Sequence, residues 1–596
     1  MMRIASGPKS AKSALHPPAL LSYDSGMAKT GTISIACASA FWGDTPFAVT
    51  QLLTEPDLNY IAFDYLSEVT MALLARAQKK DPTLGYASDF LSDVIEPHLQ
   101  TCLKRKIKLI SNAGGINSPA LMKKISESAQ RLGLNVKISC VTGDDLRGSP
   151  HLTDAQKNFS TVNAYLGAAA IKKALDEGAD IVLTGRTVDT ALVTGPLMHG
   201  FAKSWDDYGF LAQASLAGHI LECGTQATGG NFTDWRQVPD PHNVGFPIAR
   251  MESNGRFHIT KPAGTGGLVS TATVAEQLIY EIGDPQNYLL PDVTCDFSEV
   301  KLNALSPTQV EVTGARGQAP TLKYKVSATE QKGWRVSATA YLGGGEATAK
   351  ARHVGQVILK RVSQQLPALG LKPFSETLIE ALGGGEHALL RISAAHDNPA
   401  ALDILAKEVA PAATSLAPGI ANLLGGRAHA VPRMAFSSFL IEKKLVEVHL
   451  LEGDVRTPVA VSLANTSSPG QSRPLAEASP PTSGESAQLE RLAYARSGDK
   501  GNHVNIGVIA RDPRHFQILK QGLTAAVIAD FFKTDFDSPG AAKVEAWELP
   551  GIHAINFLIH DCLGGGGSYS LRVDPQGKTF AQRLLQMTIV VPKGTL

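Results

Sequence analysis

The chain has 596 residues, 43% hydrophobic and 19% charged, with 56 basic side chains against 55 acidic and a formal net charge of +1. That size suits about two to four domains, and the balanced charge gives no overall field for nucleic acid or an anionic membrane. No apolar run approaches a membrane span, and six scattered cysteines without CxxC spacing argue against zinc and disulfide frameworks and suit a reducing compartment.

Residues 1–29 are basic, Ser-rich and free of acids until Asp24, and Pro17 and Pro18 interrupt any helix there. A disordered extension and a cytoplasmic location are expected, with a weak mitochondrial presequence as the alternative. From Gly31 onward, β-branched runs at 32–38, 59–65, 107–113, 136–142 and 179–185 alternate with helical-period segments at 47–53, 68–80, 89–104, 118–132, 162–177 and 189–199. This pattern predicts an α/β domain over 30–297, with a parallel sheet and helices on both faces. Strand signals are poor over 210–296, which favours an open sheet over a barrel. Residues 298–464 read as an α+β block packed on the first domain. Its short alternating strands come first, then helices at 347–365 and 399–416 and further strands over 429–450. Residues 465–487 read as a Ser/Pro-rich linker. Residues 488–596 follow the order strand, strand, two helices, strand, strand, helix, strand, a small ferredoxin-like α+β domain.

Ligands gather at the carboxyl ends of parallel strands, and each predicted strand here ends in polar residues. Asp64, Glu68, Asp144 and Asp145 are the acid/base candidates, because crowded carboxylates raise one another's pKa or bind a hard cation such as Mg²⁺. Arg186 is the natural anion partner. The turn holding Asn112, Gly114 and Gly115 can cradle an anion at a helix start. His219 and Glu222 lie one turn apart on a helix and can pair as base and orienter. Lys261, Thr265 and Gly266 precede another predicted helix, at 272–280, in an anion-binding arrangement. Arg496 and Lys500 sit in a Gly-rich segment that reads as a loop between two strands. For each feature the plainer alternative is a cap, a tight turn or a packed polar residue. No dinucleotide fingerprint and no His-rich metal ligand set is present, so Mg²⁺ would be favoured over zinc.

ARSGDKG at 495–501, NIGVIARDP at 505–513 and LPGIHAINFLIHDCLGGGGSYSLRVDPQGK at 549–578 resemble the C-terminal domain of the acyclic terpene utilisation (AtuA) family. ACASAFWGD at 36–44, SNAGGIN at 111–117, TGDD at 142–145, LTGRTVDTAL at 183–192, GHILECGTQATGGN at 218–231 and KPAGTGGLVS at 261–270 resemble its N-terminal domain. The resemblance runs from about residue 30 to the end. It implies a part in breakdown of acyclic monoterpenoids such as citronellol and geraniol, through branched acyl-CoA thioesters, and it assigns no catalytic residue. Two readings stay open. One is an acid/base enzyme of hydratase, lyase or hydrolase type on a small anionic metabolite, with CoA as part of the substrate, Mg²⁺ admissible and no other cofactor evident. The other is a noncatalytic metabolite-binding or assembly protein. A homo-oligomer is expected, without nucleic acid or membrane as partner.

Overall fold

Five aliphatic runs, Thr32–Cys37, Tyr60–Phe63, Lys108–Ser111, Ile138–Thr142 and Ile181–Leu183, pair side by side in parallel. The computed structural model describes residues 31–421, 425–461, 472–476, 483–538, 540 and 542–595. The extension expected at 1–29 and most of the linker expected at 465–487 lie outside the described residues. In space Ile181–Leu183 sits between Lys108–Ser111 and Ile138–Thr142. Both faces of these strands are buried, which is why they read as continuous apolar runs without alternation. Helices Glu68–Lys80, Glu96–Lys104 and Ser118–Arg131 cover one face. Helices Ala169–Asp176, Ala191–Gly200 and Tyr208–Leu221 cover the other.

The sheet grows at both edges by antiparallel pairing to eleven strands. Ile248–Glu252 and Phe257–Thr260 join beside Thr32–Cys37, inside the stretch where strand signals are poor. The hairpin Lys301–Ser306 and Gln309–Thr313 continues that edge, and His449–Glu452 with Val455–Pro458 extends the other. Strands read from the sequence as part of the α+β block therefore complete the first sheet.

A second sheet is built around the 21-residue strand Lys323–Gly343, flanked by His387–His396 and Val431–Glu442, with Glu376–Gly384 outermost. Helices Ala347–Gln365 and Pro399–Glu408 pack on it. The helix expected over 162–177 is split. Thr161–Ala164 is a strand paired with Val326–Thr329, and the helix begins only at Ala169. Asp292, distant in sequence, accepts the Ala168 N–H at 2.7 Å, and Gly167 leaves room for its carboxylate. No local signal encodes that contact.

The C-terminal sheet has the order Ala493–Lys500, His503–Ala510, Ala554–Ile559, Val544–Leu549, all antiparallel, with helices Phe516–Gly522, Ala525–Phe531 and Phe580–Leu585 on it. Glu485–Gln488, whose first three residues fall in the range assigned to the linker, pairs with Thr588–Val591. Ile509, Leu549, Ile552 and Ala554 of this unit share a buried cluster with the first sheet. Among the described residues no helix is long and apolar enough to cross a membrane.

Candidate functional site

The carboxyl ends of the parallel strands face a cavity of about 2210 Å³. Residues of the second sheet, including Lys325 and Phe436, and of the C-terminal unit, including Asp499, Lys500 and Lys578, complete its walls. Asp64, Glu68, Arg186 and Glu222 line it, together with Tyr165, Asp189 and Glu281.

Arg186 is 4% exposed, and its hydrogen bonds knit three segments together. Nη1 donates to the Leu66 carbonyl at 2.6 Å and to Asp189 at 3.1 Å, and Nη2 donates to the Tyr165 hydroxyl at 3.0 Å. That hydroxyl in turn donates to Glu68, whose position at the start of helix Glu68–Lys80 is set by the Ser67 cap. Burial disfavours an ionised Glu68, but Arg186, Lys325 and the Tyr165 hydroxyl outweigh it and hold the group at about 2. Glu68 still shows 37% of its side chain to the cavity, so water reaches it.

Asn112 and Asp144 stand one layer behind this surface. Asn112 donates to Asp64 at 2.7 Å and accepts the Tyr65 N–H at 2.7 Å, tying two strand ends together. Asp144 accepts the Arg186 N–H at 2.8 Å and the Asn163 amide at 2.9 Å, and burial pushes its carboxyl up to about 7. Asp64, Asn112, Asp144 and Arg186 thus occupy one region, with two facing the cavity and two supporting them. Gly114 and Gly115 are packed tight. A Cβ on Gly114 would lie 2.1 Å from Ser118 Oγ, and one on Gly115 2.5 Å from Leu74, which leaves no anion cradle at that turn. Asp145 is paired with Arg147 at 2.6 Å, outside the cavity lining. Lys261 donates to the Thr265 carbonyl at 2.5 Å, and Gly266 is pressed against the Asp240 carbonyl. That loop closes on itself, and Lys261, Thr265 and Gly266 are likewise outside the lining. The helix after it, Thr271–Leu278, starts from a Ser270–Thr273 capping box.

His219 is 1% exposed and lies behind Glu222. Its Nε2 is 3.0 Å from the Leu278 carbonyl, and its Nδ1 is 3.3 Å from Glu222 Oε1. A bond to a carbonyl requires an Nε2–H, and burial lowers the ring's pKa to about 4, so the imidazole is neutral and Nδ1 carries a lone pair. Burial, then Asp189, raise Glu222 well above the ordinary carboxylate range. A neutral Glu222 can place its proton toward Nδ1 or toward the cavity. Asp64 is raised by burial, Asp189 and Glu222, and Asp189 is raised mainly by burial against the pull of Arg186. Asp189 thus raises both Asp64 and Glu222.

The segment at 496–502 is not a loop. Ala493–Lys500 is a strand throughout, the turn is confined to Gly501 and Asn502, and the partner strand starts at His503. Arg496, Gly498 and Lys500 therefore share one face. Arg496 is buried against Glu276 at 2.7 Å and does not line the cavity. Gly498 lets Tyr280 and Glu281 pass where a Cβ would stand 2.7 and 2.6 Å from them. Lys500 reaches the cavity. Glu281 has a left-handed φ of 53°, its N–H donates to Asn505 at 2.7 Å, and its carboxylate pairs with Lys578 at 2.8 Å. Asn556 donates to the next carbonyls, Ile282 at 3.1 Å and Gly283 at 2.7 Å. The C-terminal unit thus grips the turn that presents Glu281.

Tyr165, Asp189, Glu281, Lys325, Asp499 and Lys578 are absent from the acid/base and anion-binding candidates drawn from the sequence. One had a legible signal. In Lys323-Tyr324-Lys325-Val326 the lysines alternate with buried residues, as expected of a strand whose second face meets water or a polar cavity. Among the described residues, the ammonium groups of Lys325 and Lys500 make no hydrogen bond or ion pair. Likewise, no group of three or more His, Cys, Asp or Glu side chains is arranged to hold a metal ion.

The family model described as acyclic terpene utilisation family protein AtuA matches residues 33–451, and that of the AtuA ferredoxin-like domain matches residues 487–590. The chain matches no curated protein and no solved structure. With most of its length under these two models, the chain belongs to the acyclic terpene utilisation (AtuA) family, which supports a part in acyclic terpene utilisation.

Proposed function

We propose that the protein is an acid/base enzyme of hydratase, lyase or hydrolase type acting on a small anionic metabolite, a branched carboxylate or its acyl-CoA thioester. One observation carries this reading: a single cavity holds the carboxyls Asp64, Asp189 and Glu222, with Asp189 raising the other two, together with two cations, Lys325 and Lys500, that no acid neutralises at contact distance. Carboxyls raised by burial and by a neighbouring acid retain protons more readily than free ones, so one member can donate while another accepts. In such a pair the ionised member takes a proton from carbon or from water, and the protonated member delivers one to the departing oxygen. The Nη1 and Nη2 groups of Arg186 are engaged by Leu66, Asp189 and Tyr165, and its Nε makes no hydrogen bond among the described residues. Its role is to hold Asp189 and Tyr165 in place, and the anionic end of the substrate falls to Lys500.

The test is turnover of a panel of branched carboxylates and their CoA thioesters, followed by mass spectrometry. Glu222→Gln should lower kcat by about 10²–10⁴-fold while ligand binding persists. Lys500→Met should raise KM by about tenfold, the loss of one charge-assisted contact, with kcat largely kept. A wild-type protein that binds a panel member and consumes none would favour the noncatalytic binding reading.

A further inference from the structure

Tyr288 is a cavity residue that the acid/base reading leaves unused. It belongs to a short strand, Tyr288–Leu289, paired antiparallel with Thr294–Asp296, and its partner in the register is the fully buried Cys295. Two buried rings clamp its own ring: His219 meets it edge-on at 5.7 Å, and Phe297 lies at 5.3 Å. The far end of the ring is unengaged. Tyr288 lines the cavity, and its hydroxyl makes no hydrogen bond among the described residues. The two other tyrosines of the lining are committed, Tyr165 to Glu68 and Arg186, and Tyr280 to Lys578. Packing therefore accounts for the Tyr288 ring and leaves its hydroxyl for a ligand. Burial, then Glu222 and Asp189, raise the phenol well above its ordinary value, so it keeps its proton and acts as a donor.

We infer that Tyr288 is a catalytic residue whose hydroxyl receives the carbonyl oxygen of the substrate and stabilises an enolate there, which makes the substrate an acyl thioester with a hydrogen on the carbon beside the carbonyl. The inference deepens the acid/base reading above and rests on it. A free carboxylate already carries negative charge on oxygen and resists a second one, so of the two substrate forms only the thioester suits a neutral donor. Asp189, which Arg186 contacts at 3.1 Å, is the carboxyl that takes the proton from that carbon. The C–H electron pair becomes a C=C bond, and the carbonyl π pair moves to oxygen, where the new charge meets the Tyr288 O–H. A hydroxyl on the next carbon, protonated by Glu222, then leaves as water while the enolate pair returns to form the conjugated C=C bond. The reverse sequence is hydration, and neither direction needs a redox partner.

The experiment uses acetoacetyl-CoA, whose enolate absorbs in the near ultraviolet, with full-length wild type and Tyr288→Phe. The substitution keeps the ring and its contacts with His219 and Phe297 and removes only the O–H, so circular dichroism and the melting temperature should match wild type. Wild type should bind the probe and develop the enolate band. Tyr288→Phe should bind within about threefold of wild type and lose the enolate-to-keto ratio by about tenfold or more. On the thioester panel the same variant should lower kcat by about 10²–10³-fold with KM nearly unchanged. No binding by wild type, binding without the band, a band that survives in Tyr288→Phe, or equal loss of binding and band would overturn the inference. Panel turnover that Tyr288→Phe leaves intact would sink the role of Tyr288 and leave the acid/base reading standing. A Tyr288-dependent enolate band without turnover of any panel member would do the reverse.

Discussion

Replacing Arg496 by Met should loosen the C-terminal unit from the rest of the chain and open the cavity it helps to close. The side chains of Arg496 and Glu276 are 4% and 0% exposed, and they meet at 2.7 and 3.1 Å. Unit charges at that separation attract by about 6 kcal/mol in an effective dielectric of about 20. Desolvation offsets much of this, but removing one partner of a buried pair strands the other and costs about 3–5 kcal/mol. Burial raises the Glu276 pKa, and Arg496 opposes that rise. A carboxyl whose folded pKa exceeds its unfolded one favours the folded state fully below the unfolded pKa, and that advantage is lost as pH rises through the folded pKa. Without Arg496 the folded pKa climbs further, so the deficit of the variant should be larger near pH 8 than near pH 5. Urea unfolding followed by circular dichroism, at both pH values, measures it. Arg496→Met with Glu276→Gln should recover most of the loss, because no charge is left buried. A double variant whose loss equals the sum of the two singles, or a deficit independent of pH, would refute the reasoning.

Two further outcomes follow from the same geometry. Asp144, raised to about 7 by burial, is favoured neutral in the fold, so its contribution is present below the unfolded carboxylate pKa and declines as pH rises through 7. Asp144→Asn keeps an oxygen for the Arg186 N–H and the Asn163 amide. It should flatten the pH dependence of the urea midpoint between about pH 4 and 7 and raise the midpoint near pH 8, by on the order of 2–4 kcal/mol at most. Gly498→Ala places a methyl 2.6 Å from the Glu281 side chain and 2.7 Å from Tyr280. It should push Glu281 away from Lys578 and cost about 1–3 kcal/mol, measured by thermal unfolding, with a crystal structure reporting the displaced carboxylate.

The parts of the fold that were legible are those where local pattern and tertiary role agree. The five parallel strands and the helices between them follow from apolar runs and helical periodicity, and the positions of Asp64, Glu68 and Arg186 at the rim follow from strand ends. Reading failed where a residue serves a distant neighbour. Gly498 and Asp499 look like turn residues, yet Gly498 is a strand residue that makes space for Tyr280 and Glu281, and pairing with His503–Ala510 overrides the turn signal. The segment at 162–177 has helical period, yet its first residues are drawn into the second sheet by Lys323–Gly343. Gly114 and Gly115 carry the composition of an anion cradle, but the space beside them is filled by Ser118 and Leu74.

The amino-acid sequence alone determines the α/β alternation, the ferredoxin-like order of the last hundred residues and the concentration of polar groups at strand ends, because each depends on residues a few positions apart. Tertiary packing alone decided which of those polar groups meet a ligand. Asn112 and Asp144 became struts, Arg496 became a buried tie to Glu276, and Lys325, Glu281 and Lys578 arrived from remote segments to complete the cavity. Ionisation follows the same division: the charge a carboxyl or amine carries depends on burial and on neighbours brought in by the fold, and neither is written in the local sequence.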